Sequence, residues 1–443
     1  MSSMTTLSQT ESSLRLRKVF ELWWPLAGSW VLMGIELPIV SAVMARLADP
    51  EVHLAAYGGV VFPIALIIEA PVIMLLAAST ALSRDWTSYV FLRRFMFQMS
   101  GVLTVLHILV AFTPLYDVVV ADVLHVPEPV REPARIGLML MTPWTGAIAI
   151  RRFQQGVIIR YGQTRSIGLG TALRLFVNVS ILGCGLYWGT IPGIVVATIA
   201  VSLGVLTEAV VVNRIVQPLL LRMQAEHYSL SSPLTLGRLL RFYVPLAMTS
   251  FLALIALPIG SAALSRMPRA LDSLAVWPVM AGLSFTLRSL GLAFQEVVVA
   301  LVGKPGAKAI LGRFAIGLGL TTSTLLLLIA ATPLARLWFG EIAGLSPELT
   351  ELGCQAIWLA VLLPGLSAVE SFLQGSLVHS HQTKSITEAV AIYLVTSTSI
   401  LMAGTYYGQI AGLYVGLLGV SSGLLCQTLW LWYRNASTAQ IPE

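Results

Sequence analysis

The sequence predicts an all-α polytopic membrane protein, in which twelve transmembrane helices form two parallel six-helix lobes related by a pseudo-twofold axis along the membrane normal. Three observations predict this fold. Of 443 residues, 56% are hydrophobic and only 11% are charged, with a mean hydropathy of +0.83, whereas soluble domains carry about 25% charged residues. The apolar residues form twelve long runs, and the second half of the chain repeats the first.

Twelve apolar runs are long enough to cross a membrane. A hydrocarbon core about 30 Å thick needs roughly 20 apolar residues per helix. The first run is too long for a signal-peptide core and no small-residue cleavage site follows it, so it is expected to remain as a spanning helix. The predicted spans are residues 19–45, 53–82, 91–116, 136–159, 166–188, 191–213, 239–265, 271–302, 309–335, 350–378, 385–405 and 409–433.

The distribution of basic residues predicts the orientation. Most Lys and Arg residues lie in the terminal segments and in the loops after even-numbered helices. Because basic residues concentrate in cytoplasmic loops, both termini are expected in the cytoplasm, with the chain in the plasma (inner) membrane. The loops on the other side hold only Arg46, Arg131, Arg135, Arg266, Arg269 and Arg336.

The two halves repeat at a nearly constant offset. "LPIVSAVMAR" at 37–46 matches "LPIGSAALSR" at 257–266, and "QGVIIRYGQTRSI" at 155–167 matches "QGSLVHSHQTKSI" at 374–386. The offset changes only from 220 to 219, which indicates a duplication. The expected units are an N-terminal lobe at 15–216, a cytoplasmic linker at 217–237 and a C-terminal lobe at 238–434. Substrate sites of transporters lie at such repeat interfaces, so the repeat favours a transporter.

A proline occupies the same place in the first and seventh helices. Pro38 and Pro258 each remove one intrahelical hydrogen bond and are expected to kink their helices. Paired kinks would let the lobes bend relative to each other. An equally open interpretation is a packing feature that predates the duplication.

Ionisable residues at membrane depth are the candidate functional residues, because each is costly in lipid and should face the interior or a partner. Depth matching across the repeat predicts that Glu69 pairs with Arg288, and Arg151 or Arg152 with Glu370, bridging the lobes in one conformation. Alternatively, each residue is satisfied within its own lobe, or the two adjacent arginines extend towards the cytoplasm.

Glu36 differs from the other acids because its counterpart in the second half is Ala256. A lone buried carboxyl can carry a proton or a cation as its surroundings change. This predicts a coupling role for Glu36. A fixed salt bridge with Arg174 is the alternative, and both remain open at this stage.

Enzymatic chemistry is not expected. The chain lacks a G-x-x-x-x-G-K-[ST] phosphate loop, H-E-x-x-H and G-x-S-x-G, so no catalytic residue, cofactor or metal site is assigned. The cysteines Cys184, Cys354 and Cys426 are interpreted as small core residues. The net charge of +6 follows membrane topology and does not indicate nucleic-acid binding.

Several short motifs carry a family resemblance: "WWPLA" (23–27), "LAAYG" (54–58), "QGVIIRYG" (155–162), "FYVPLA" (242–247) and "LPIGSAALSR" (257–266), together with Glu36. With them, the chain resembles the multidrug/oligosaccharidyl-lipid/polysaccharide flippase superfamily. Within it the chain looks like the multidrug and toxic compound extrusion (MATE) group, and most like the progressive ankylosis protein branch. The resemblance implies a V-shaped exporter that works by alternating access, with Glu36 at the position of a coupling acid, and with anions as cargo.

The sequence thus predicts a monomeric secondary active exporter of small organic anions or amphipathic compounds, coupled to protons or sodium. Arg151, Arg152, Arg174 and Arg288 suit an anion, since arginine offers a planar fork to carboxylate or phosphate. The alternatives are a flippase for a lipid-linked precursor, a multidrug cation exporter, a major-facilitator carrier and, outside transport, a membrane scaffold.

Overall fold

The computed structural model describes residues 16–161, 165–225, 234–380 and 382–438. The predicted all-α fold is confirmed, and each of the twelve predicted spans corresponds to a helix. Eleven helices are long and apolar enough to cross a membrane, so the chain is an integral membrane protein. The helices are α1 Leu16–Met44, α2 Pro50–Leu82, α3 Trp86–Phe112, α4 128–160, α5 Arg165–Trp188, α6 Gly193–Ala225, α7 Leu236–Leu264, α8 Ala270–Leu301, α9 Ala307–Ala331, α10 Pro347–His379, α11 Thr383–Tyr407 and α12 Gly412–Thr438.

The twelfth spanning helix is α4, which falls outside the apolar set because it is charged at both ends and in its middle. Its first part, Glu128–Leu140, is amphipathic, and a break at Met141 separates it from Thr142–Arg160. Arg151 is nevertheless buried there. A helix this polar can lie at membrane depth only because other helices surround it and satisfy its charges.

Helices α1 and α7 break at equivalent places. Each is interrupted at one residue, Ile35 in α1 and Ile255 in α7, three residues before the repeated proline. Pro38 has no N–H to donate to the carbonyl of Gly34. The hydroxyl of Thr286 in α8 lies 3.1 Å from that carbonyl and shares its proton between it and the carbonyl of Gly282, at 2.8 Å. A residue of the other lobe therefore satisfies the backbone group that the proline leaves free.

The first half of each broken helix packs against the opposite lobe. In α1, the indole of Trp23 donates to the carbonyl of Leu290 at 2.9 Å and contacts the ring of Phe314 in α9. In α7, the hydroxyl of Tyr243 donates to the carbonyl of Pro71 in α2. We call the side of the membrane that holds the chain termini the terminal side. On that side each lobe therefore holds the first helix of the other.

On the opposite side, which we call the outer side, α2 and α8 pack closely. A Cβ atom on Gly58 would lie 2.6 Å from the Pro278 ring, and one on Gly282 would lie 2.9 Å from the Pro38 ring. Real Cβ atoms do not approach so closely, so glycine permits this crossing. The lobes consequently meet tightly through the outer halves of α1, α2 and α8.

The duplication is visible in individual hydrogen bonds. The hydroxyl of Ser202 donates to the carbonyl of Leu140 at 3.2 Å, and that of Ser421 donates to Leu359 at 2.6 Å, a shift of 219 residues at both ends. Equivalent bonds within each lobe indicate that both lobes inherited one packing scheme.

The expected linker at 217–237 starts too early. Helix α6 continues to Ala225. Its residues Leu219, Leu220 and Met223 are buried against the first lobe, while the polar residues of the same turns, Gln217, Arg222 and Gln224, are exposed. An amphipathic last turn looks like a polar linker in composition alone. Residues 226–233, the middle of the expected linker, lie outside the described ranges.

Candidate functional site

A cluster of charged side chains lies inside the first lobe, where α1, α4, α5 and α6 meet. At its centre is Glu208 of α6, whose side chain is 0% exposed. One carboxylate oxygen accepts from Arg151 at 2.8 Å, and the other accepts from Gln155 at 3.1 Å and Thr171 at 3.2 Å. The charge and lone pairs of Glu208 are thus satisfied from two helices, as burial of a carboxylate requires.

Arg174 of α5 joins this centre to Glu36. Its Nη2 lies 2.8 Å from the Glu36 carboxylate, and its Nε lies 3.5 Å from Glu208. Asn178, one turn further along α5, donates to the other oxygen of Glu36. The salt bridge between Glu36 and Arg174 is therefore formed in this structure. We call the linked residues Arg151, Glu208, Arg174 and Glu36 the charge chain.

Local backbone features place the charge chain. Glu36 is the first residue of the second half of α1, directly after the break at Ile35, where helical N–H groups favour a negative charge. Gly204 gives α5 room beside α6, because a Cβ there would lie 1.8 Å from the Asn178 side-chain oxygen and 3.2 Å from Arg174. The break and the glycine together bring α1, α5 and α6 within reach of one another.

Two further charges of the first lobe are not engaged in this way. Within the described ranges, no hydrogen bond or ion pair engages Arg152, which is half-buried, and its Nε is buried without a partner. Glu69 of α2 is 2% exposed, and one of its oxygens is also buried without a partner. Among the described residues, Glu69 forms no ion pair with Arg151 or Arg152, and Arg151 is bound to Glu208 instead.

The second lobe has a smaller site at the equivalent place. Glu370 of α10 accepts from Gln374 at 2.7 Å and from Gln427 of α12. Glu370 and Gln427 are the counterparts of Arg151 and Glu208, at an offset of 219. Both lobes therefore have a buried polar contact between the fourth and sixth helices at this equivalent place, but the charges differ. Arg288 lies beside this site and donates its Nε to Ser367 at 2.7 Å.

The predicted pairs across the lobes are not formed in this structure. Among the described residues, no ion pair joins Glu69 to Arg288, and Arg151 and Glu370 each bind partners within their own lobe. Equivalent positions in the repeat lie at the same depth in the membrane, but the distance between them in the plane of the membrane does not follow from the sequence. Each six-helix lobe has its own interior, and there an adjacent helix supplies the partner.

Sequence reasoning overlooked the neutral residues of these sites: Gln155, Thr171, Asn178, Gln374 and Gln427. Amides within apolar runs are a usable signal, since a buried amide needs partners. The repeat strengthens it, because Gln155 and Gln374 occupy equivalent positions. Among the described residues, no group of three His, Cys, Asp or Glu side chains could hold a metal ion.

Two arginines link the lobes on the outer side. Arg46, at the end of the repeated motif in α1, donates to the carbonyl of Glu341 in the second lobe. Its counterpart Arg266 donates to the carbonyl of Val123 in the first lobe at 2.6 Å and contacts the ring of His125 at 2.8 Å. Both acceptor carbonyls lie at the ends of short π-helical turns, Val118–Val123 and Leu337–Ile342. We call these two contacts the arginine latches.

The fold matches those of solved transporters at low sequence identity. An inward-facing multidrug resistance MATE family transporter of the MOP superfamily superposes with a TM-score of 0.70 at 13% identity, covering 95% of this chain and 99% of that one. The lipid II flippase MurJ, in an inward closed conformation, gives 0.70 at 14% identity, with 94% and 88% covered. An outward-facing MATE family transporter gives 0.57 at 16% identity, with 96% and 97% covered.

Comparison of sequences alone adds nothing to this result: no family model matches the chain, and no curated protein sequence matches it. The structural likeness extends over nearly the full length of the chain and of the MATE transporters. The chain therefore has the two-lobed fold that MATE transporters and MurJ share.

Proposed function

We propose that this protein is a secondary active exporter that works by alternating access and carries small organic anions, coupled to a proton or another cation. The observation that supports it best is the one-sided closure of the lobes. On the outer side, glycine-lined crossings and two arginine latches join them. On the terminal side, among the residues that the structure describes, the hydrogen bonds between the lobes come from one half-helix of each lobe.

Alternating access requires that closure on one side be exchanged for closure on the other. The breaks at Ile35 and Ile255 divide α1 and α7 into halves with different partners. The first halves of α1 and α7 pack against the opposite lobe, while the second half of each leads to a latch arginine. Bending at the breaks would let the outer contacts open while the first halves stay docked. The higher TM-score with an inward-facing relative is consistent with an inward-facing state here.

In this proposal Glu36 couples transport to a cation. It is partly exposed, with 16% of its side chain accessible, and shares Arg174 with Glu208. It also lies next to the break in α1, so bending there changes its distance to Arg174. Protonation or cation binding at Glu36 would free Arg174 to pair with Glu208 alone. The ion pair and the coupling role are therefore compatible, as two states of one switch.

The substrate class follows from the arginines that lack a carboxylate partner. Arg151 and Arg174 are engaged by Glu208 and Glu36. Arg152 in the first lobe and Arg288 in the second have no ion pair within the described part of the chain, and Arg288 uses only its Nε for Ser367. One guanidinium in each lobe thus remains available for a carboxylate or phosphate.

Uptake by proteoliposomes tests both parts of the proposal. Citrate, pyrophosphate and a cationic dye would be compared with and without a pH gradient. The proposal expects gradient-dependent uptake of an anion, lost in Glu36→Gln and retained in Glu21→Gln, an exposed acid on the same helix. Arg152→Gln should raise the KM for the anion, whereas Arg84→Gln in an exposed loop should not. Uptake of the dye alone would overturn the anion assignment.

A flippase for a lipid-linked precursor is the second candidate, favoured by the equal TM-score with MurJ. It expects no uptake of soluble anions and, instead, movement of a labelled lipid-linked substrate between leaflets that Arg152→Gln impairs. A protein that moves neither kind of substrate, with folded variants, would support a scaffold.

A further inference from the structure

A second polar site lies on the flank of the first lobe, outside the charge chain. It is a groove with a volume of about 340 Å³ between α3, α4 and α6. Its polar part includes Trp86, Tyr89 and Arg93 from α3, Gln154 from α4, and Asn213, Gln217 and Gln224 from α6. We call this the α3–α6 groove. The proposed transport function does not use it.

The groove contains one cation without an acidic partner. Among the described residues, Arg93 makes no ion pair; its guanidinium lies 5.8 Å from the centre of the Tyr89 ring, which Trp86 stacks on at 5.5 Å. Arg93 lies seven residues into α3, roughly 10 Å from its terminal-side end at 1.5 Å per residue. That is the depth at which arginine and tryptophan meet lipid headgroups.

A buried acceptor in the groove is also unsatisfied. Gln154 is 3% exposed, and its amide nitrogen donates to Tyr89 at 3.2 Å and to Asn213 at 3.1 Å. Its carbonyl oxygen is buried without a partner in the described chain. Buried polar atoms are rarely left unpaired, so this oxygen points to a ligand that donates a hydrogen bond.

Comparison with the equivalent positions of the second lobe shows that the groove is not part of the duplicated architecture. At an offset of 219, Arg93, Gln154 and Asn213 correspond to Gly312, Leu373 and Trp432 in the second lobe. The neighbouring Arg94, by contrast, corresponds to Arg313. Arg93, Gln154 and Asn213 are thus replaced by glycine or an apolar residue in the other lobe, whereas Tyr89 corresponds to Lys308. Selection for a feature of the first lobe alone explains this better than packing does.

We propose that the α3–α6 groove binds a membrane phospholipid of the terminal-side leaflet, through a phosphate on Arg93 and a headgroup hydroxyl on Gln154. The deeper wall supports a lipid rather than a soluble anion. It is formed by Met96, Phe97, Ile150, Leu206 and Val210, and the exposed members continue the apolar surface of the lobe. A phosphoglycerol headgroup satisfies both polar groups, whereas the trimethylammonium of phosphatidylcholine has no hydrogen to donate.

Native mass spectrometry of the full-length protein tests this site, with phosphatidylglycerol and phosphatidylcholine of the same acyl chains. Phosphatidylglycerol should bind the wild type at least tenfold more tightly than phosphatidylcholine. Arg93→Ala should weaken the binding of both lipids by roughly tenfold, because both carry a phosphate and this is the usual effect of removing a hydrogen bond to a charged group. Arg94→Ala, the matched neighbour, should leave both affinities unchanged.

A second variant keeps the test independent of the arginine. Asn213→Trp places the second lobe's residue beside Gln154 and should abolish the preference for phosphatidylglycerol, while thermal unfolding reports that the variant is folded. Equal losses in Arg93→Ala and Arg94→Ala would overturn the site in favour of general surface charge. Competition by inorganic phosphate at millimolar concentration would overturn the lipid assignment in favour of a soluble anion. Neither result depends on transport, so the proposed function is tested separately.

Discussion

Removing both arginine latches should shift the protein towards an outward-open state. Arg46 and Arg266 each donate one hydrogen bond to their own helix, to Ala42 and Ala262 at 2.7 Å. In the other lobe, Arg46 contacts the carbonyl of Glu341, and Arg266 contacts both the carbonyl of Val123 and the ring of His125. In the proposed alternating-access cycle, only the bonds between the lobes would break when the outer side opens. Arg46→Met and Arg266→Met keep the length and apolar stem of the side chain, so they remove those bonds with little change in packing.

The size of the shift follows from the exposure of these side chains. A hydrogen bond to a charged group contributes about 1.5–3 kcal/mol when buried, but both arginines are exposed, so about 0.5–1 kcal/mol each is the appropriate range. The two sites are distant from each other and should add. Together they contribute about 1–2 kcal/mol, which changes the ratio of outward-open to outward-closed molecules by about 5- to 30-fold.

Spin labels at Leu115 and Leu334 measure this ratio. These residues are equivalent in the two lobes and exposed on the outer side, so their separation increases when that side opens. The labels require prior replacement of Cys184, Cys354 and Cys426. Arg336→Met is the matched control, because within the described ranges the ion pair of Arg336 is with Glu351 of its own lobe, at 3.6 Å. An unchanged distance distribution in the double variant, or the same change in the control, would refute the gating role.

Three substitutions test the packing around the site by thermal unfolding. Gly204→Ala should be strongly destabilising, because its Cβ would lie 1.8 Å from the Asn178 amide; a melting temperature at the wild-type level would contradict this. Thr286→Val should cost about 1 kcal/mol by leaving the Gly34 carbonyl unpaired, and an isoenergetic variant would show that another group binds it. Gly101→Ala, with no atom within 4 Å of its Cβ, should be neutral or slightly stabilising.

Composition and periodicity were enough to predict the helices. Apolar runs predict spans because every backbone group in lipid must be satisfied within a helix, and the offsets of 220 and 219 predict the two lobes. This reasoning fails to place the end of a helix where the last turns of that helix are amphipathic. The last turns of α6 around Met223 were assigned to the linker, since a polar stripe on a packed helix has the composition of a loop.

Charge pairing was predicted less well, for a geometric reason. The sequence places Arg151 and Glu370 at equal depth, but depth is one coordinate of three. Glu208, the actual partner of Arg151, is 57 residues away in sequence, and only the packing of α4 against α6 reveals the contact. The pair Glu36–Arg174 could be proposed from the sequence because few buried cations were available in the first lobe.

The sequence by itself determined that this chain enters a membrane as twelve helices, that its lobes are duplicated and that Glu36 belongs to only one of them. These properties are encoded locally, in hydropathy, in proline positions and in the repeat. Only the tertiary structure decided that Glu36 shares Arg174 with Glu208, that half of α1 docks on the opposite lobe, and that Arg46 and Arg266 latch the outer side. Such contacts join residues distant in sequence, and their energies depend on distances of a few ångströms that no local pattern records.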